Sequence, residues 1–140
     1  MKPLGVFLLA TLLAVPVCHA ADPVPEALSS KLKSLAGPSS KDCGSVSLHE
    51  SPDAAISCAQ EAASSGKAYR LAVEFQGPDS VAWQGAARDE QGKLWALFYE
   101  SDVLGGSQAG TTLSVVHCRD ILFASQDNDV IECKPIVGGP

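Results

Sequence analysis

Four cysteines constrain this chain more than any other feature. Cys43 and Cys58 stand fifteen residues apart, and so do Cys118 and Cys133. A fifth, Cys18, lies inside an apolar N-terminal run. Four cysteines allow three pairings. The sequential one is preferred because each pair closes a local unit: Cys43–Cys58 ties the chain ahead of a helix back onto it, and Cys118–Cys133 clamps two strands across a turn. Each closed loop is worth roughly 3 kcal/mol through the unfolded state.

The odd count is resolved by the leader. Residues 1–20 carry Lys2, then the apolar stretch Leu4–Val17, then Cys18-His19-Ala20, with small side chains three and one residues before a cut at Ala21. That is the layout of a secretory signal. A membrane-spanning helix needs about 20 apolar residues, and this run is shorter and contains Pro16. A lipid anchor on Cys18 is the other alternative, but Val17 stands where that signal requires a small residue. Cleavage leaves four cysteines and 9 basic against 16 acidic residues, a net charge of −7. The expectation is a periplasmic or secreted protein with two disulfides and no membrane span after cleavage. An acidic surface argues against nucleic acid as a partner, because phosphate binding needs basic side chains.

The mature chain is long enough for one domain. Residues 21–42 read as a helix and linker: Pro25 suits a first turn, Leu28, Leu32 and Leu35 recur at helical spacing, and Gly37-Pro38 ends it. Residues 43–134 form the stapled domain, and 135–140 a tail. Ser51 and Pro52 open a second helix, alanine-rich from Ala54 to Ser65 and stopped by Gly66. The period then changes to two. Strands are expected at Tyr69–Gln76, Val81–Ala87, Leu94–Tyr99, Thr111–Cys118 with a bent continuation at Ile121–Ala124, and Val130–Lys134. Short connections favour an antiparallel meander of four or five strands packed on the alanine-rich helix: an α+β fold.

Chemistry is sparse. His49 and His117 are the only mature histidines. His49 neighbours Ser51 and Asp53, both of which helix capping already explains. No metal is expected, since Cys43, Cys58, Cys118, Cys133, His49 and His117 show no CxxC or HxxxH spacing. The glycine-rich run Gly105–Gly110 has no following lysine and reads as a loop, and Asp89-Glu90 and Asp127 with Asp129 read as turns. No catalytic set and no cofactor site emerge.

The surplus lies in the aromatics. Leu94–Tyr99 is apolar on both faces, whereas a sheet with one wet face alternates. Pairing Arg88 with Lys93 puts Trp83 and Phe98 on one side and Trp95, Leu97 and Tyr99 on the other. A one-residue slip at the glycine moves Trp95, Leu97 and Tyr99 to the side of Trp83. Two readings follow. Either the leucine helix of residues 25–36 covers the second face, or Trp83, Trp95, Leu97, Phe98 and Tyr99 supply a binding patch.

The run from Asp42-Cys43-Gly44 through Cys58-Ala59, Gly66–Arg70, Gln76–Ser80 and Tyr99–Asp102 to Cys118 resembles small exported bacterial proteins of unknown function. The resemblance implies an exported compartment and a fold plan, without an activity or a site. The function expected is a non-catalytic binding module for another envelope protein, of inhibitor or immunity type. The alternatives are a periplasmic hydrolase using His49 or His117, and a lipid-anchored envelope protein.

Overall fold

The structure is a computed structural model that describes residues 24–77, 80–102, 110–124 and 130–136. The signal-like residues 1–20 with Cys18, most of the glycine-rich loop, the Asp127–Asp129 turn and the end of the tail lie outside the described residues. Among the described residues two helices flank one sheet. The order along the chain is α1 (Glu26–Ala36), β1 (Lys41–Val46), α2 (Asp53–Ser64), β2 (Tyr69–Gln76), β3 (Ser80–Arg88), β4 (Leu94–Asp102), β5 (Thr111–Phe123) and β6 (Ile131–Pro135).

The α+β class and both disulfides are as expected, but the sheet differs in two respects. It has six strands in the order β1-β2-β3-β4-β5-β6, and β1 runs parallel to β2 while the other pairs are antiparallel. The meander is therefore β2 to β6, and α2 is the crossover that joins two parallel strands. Strand β1 escaped the sequence reading because Lys-Asp-Cys-Gly-Ser-Val has no period-two apolar pattern. It lies at the sheet edge, mostly exposed, with Gly44 at φ 89° where its pairing with β2 shifts register.

Local chemistry accounts for both helices. In α2, Ser51 Oγ accepts the Asp53 amide and the helix starts one residue later than expected. At its other end Gly66 adopts φ 70°, and the amides of Gly66 and Lys67 donate to Ala63 and Ala62 carbonyls. That is the glycine-terminated pattern which satisfies otherwise orphaned carbonyls. Helix α1 ends at Gly37, whose amide donates to Lys33. An eleven-residue helix is marginal by itself. Docking stabilises it: Leu28, Leu32 and Ala36 are buried on Ala72, Trp83, Ala87 and Leu97, and each leucine contributes about 2 kcal/mol.

On the opposite face Ala55, Ile56, Ala59 and Ala62 of α2 pack on Tyr69, Leu71, Val73 and Ala86. Small side chains let the helix lie close. The same core takes in Ile121, Val130 and Ile131, because β5 shifts register between Cys118 and Asp120 and carries β6 over this face. The Ile131 amide donates to the buried Gln84 Oε1 at 3.0 Å. One disulfide, Cys43–Cys58, pins β1 to α2, and the other, Cys118–Cys133, joins β5 to β6; both have Cα atoms 5.5 Å apart.

Candidate functional site

Register decides which side chains reach the surface. The β3–β4 connection closes with the Asp89 amide on the Lys93 carbonyl, and Asp89 Oδ1 accepts the amides of Gln91 and Lys93. Gly92 takes φ 85° in this turn. Arg88 consequently lies opposite Leu94, so Trp83 faces Tyr99, Gly85 faces Leu97 and Ala87 faces Trp95. This is the slipped register, and it gathers Trp83, Trp95, Leu97 and Tyr99 on the α1 side of the sheet. Phe98 points to the α2 side, 38% exposed, with its ring tilted on Phe75 at 5.5 Å.

The five aromatic and aliphatic candidates thus separate into three environments. Trp83 and Leu97 are buried beneath α1, which covers β2, β3 and β4. Trp95 and Tyr99 are half-buried along the margin that α1 leaves. Beyond them β5 presents Leu113, Val115 and His117, directly opposite Tyr99, Leu97 and Trp95. Val115 is 36% exposed. Turn residues and apolar runs place these β5 residues in a strand without marking them as exposed. The signal was present: no Asp, Glu, Lys or Arg occurs between Asp102 and Arg119.

The result is an uncharged apolar strip beside α1, built on Tyr99, Leu113 and Val115 and ending at a stacked pair. The rings of Trp95 and His117 lie 4.5 Å apart at 24°. Shielded from solvent, the Trp95 indole N–H meets no acceptor among the described residues, which costs about 1–3 kcal/mol. His117 is therefore held in a strand against an indole, while His49 is exposed in the turn before α2.

On the other side of α1 a cavity of about 230 Å³ is lined by Lys33, Asp42 and Arg70 among others. The Arg70 guanidinium is engaged there, donating to Asp42 Oδ2 at 2.8 Å and to Ser40 Oγ at 2.6 Å. Among the described residues no three or more His, Cys, Asp or Glu side chains cluster so as to hold a metal ion, and no helix is long and apolar enough to cross a membrane. No protein-family model matches this chain, and neither a curated protein nor a solved structure is significantly similar to it.

Proposed function

We propose that the chain is an exported binding module, of the small bacterial kind its sequence resembles, that contacts another envelope protein through the strip beside α1. The observation that carries this reading is the exposure of Val115 next to half-buried Tyr99, Leu113 and Trp95 on a sheet face of which α1 covers only part. Aromatic residues with a polar tip are favoured at protein interfaces, and charge is depleted at interface centres. Two disulfides support an oxidising compartment, in line with cleavage before Ala21. An acidic module of this kind suits a basic target, whose charge would speed encounter around the apolar centre.

Saturable binding to one envelope protein, compared between wild type, Tyr99→Ala and Leu48→Ala, tests the reading. Leu48 is also exposed, at 37%, but lies in the turn before α2. Affinity reduced at least tenfold by Tyr99→Ala and unaffected by Leu48→Ala is the expected result. Equal affinity of all three proteins overturns it.

A further inference from the structure

The backbone of β5 carries an inference that the side-chain strip does not. Hydrogen bonds in an antiparallel ladder alternate, so each residue turns both its N–H and its C=O to the same side. The Asp89–Lys93 closure fixes that alternation for β4: Ala87 and Trp95 bond to each other, and so Trp95 turns its polar groups away from β5. Its partner His117 then turns outward, together with Val115, Leu113 and Thr111. An independent contact agrees, since the His117 carbonyl accepts the Ile136 amide on the outer side at 3.4 Å. Strand β6 pairs with β5 from Cys118 to Phe123 among the described residues. Among the described residues, nothing pairs with the outward groups of Thr111, Leu113 and Val115.

Open edges are normally protected by charge, proline or a bulge. The outer edge of β1 has Lys41, Asp42 and the irregularity at Gly44, and that of β6 has Glu132, Lys134 and Pro135. Residues 111–116, Thr-Thr-Leu-Ser-Val-Val, have none of these. They are uncharged and rich in β-branched side chains, and Val115 and Val116 are exposed on opposite faces.

We infer that this edge pairs with the same edge of a second copy of the chain, antiparallel about a two-fold axis at Leu113. The edge admits a second copy: although the chain as a whole is acidic, no Asp, Glu, Lys or Arg stands between Asp102 and Arg119, so two of these edges meet without like charges in contact, and the pattern of outward groups is its own complement. The register that leaves His117 to Ile136 places Leu113 opposite its own copy, Val115 opposite Thr111, and Thr112 opposite Ser114. Every outward group of Thr111, Leu113 and Val115 finds its complement, giving about six main-chain hydrogen bonds, and the Leu113 and Val115 side chains run on across the axis. The contact is isologous, so it closes as a dimer and does not propagate. It uses the β5 backbone edge, whereas the proposed partner strip uses side chains on a face, and the two stand or fall separately.

Sedimentation equilibrium and amide exchange by NMR, from about 10 μM to about 2 mM, the range in which small interfaces dissociate, test this. The expected result is a mass rising toward that of the dimer. The Leu113 and Val115 amides should gain protection in step, while those of Ser114 and Val116, which bond to β4, stay protected throughout. Val115→Pro removes one outward donor, and Ser114→Lys places a charge beside the axis; both should remain monomeric. If the proline variant does not fold, Ser114→Lys carries the comparison, its side chain being exposed. A monomer at every concentration, or a dimer that leaves Leu113 and Val115 exchange unchanged, overturns the inference. So does full protection of those amides at the dilute limit.

Discussion

Replacing Gly85 by alanine probes how α1 is seated on the sheet. A β-carbon at that position would lie 3.1 Å from Leu32 Cδ2, 3.2 Å from Leu28 Cδ1 and 3.3 Å from Leu32 Cδ1. Carbon atoms pack comfortably at about 3.5–4.0 Å, so either the helix lifts or the leucines leave their rotamers. Overpacking of this kind costs about 1–3 kcal/mol, and removing a glycine from a strand interior recovers roughly 0.5–1 kcal/mol. The expected net is a loss of about 1 kcal/mol. Leu32→Ala alone should cost about 3 kcal/mol, because Leu28 and Ala36, one turn to either side, hold the helix away from the vacated space. In the double variant two of the three close contacts disappear, and Gly85→Ala becomes neutral or mildly stabilising. The coupling between the two sites is then ~1–2 kcal/mol, well outside the roughly 0.5 kcal/mol error of additivity. Urea unfolding followed by circular dichroism measures it, with midpoints compared at constant m. Strictly additive costs would refute the seating of α1 through Leu32 on Gly85.

Three further outcomes are expected. Replacing Cys43 and Cys58 together by serine should lower stability by about 3 kcal/mol; a calorimetric Tm unchanged from wild type would contradict a role for that bond in holding β1. Burial pushes the Tyr69 hydroxyl up to about 12, with Arg88 pulling it down and Asp120 adding to the rise. A folded pKa above the unfolded value means that the contribution is complete below pH 10 and is lost as pH climbs from 10 to 12; it amounts to roughly 2–3 kcal/mol, and Tyr69→Phe should flatten that part of the pH–stability curve. Gln84→Leu should cost about 1–3 kcal/mol by leaving the buried Ile131 amide unsatisfied, and hydrogen exchange should show the Ile131 amide opening faster; unchanged protection would mean that Gln84 does not hold β6 over the sheet.

Periodicity and punctuation made much of this molecule legible in its sequence. The proline and glycine stops bounded both helices, period two marked β2, apolar runs between turn residues marked β3 to β6, and equal cysteine spacing with a turn or a helix between the partners indicated the disulfide pairing. These are local signals, and local backbone preference answers to them. Strand β1 was not legible because an exposed edge strand buries almost nothing and therefore writes no pattern. The apolar surplus of Leu94–Tyr99 was visible, but which of its side chains reach water was not. That depended on one residue of register at the Gly92 turn and on how far α1 extends across the sheet. The first is set by the hydrogen bonds of the Asp89–Lys93 closure, and the second by packing between segments distant in sequence, Leu28 and Leu32 against Gly85. The same holds for the β5 edge, since hydrogen-bond direction alternates along a strand and is fixed only when a neighbour is in place. The chain's own residues thus determined the elements and the staples, while tertiary contact alone decided which strand edge stands unpaired, and which apolar side chains stand uncovered, among the described residues.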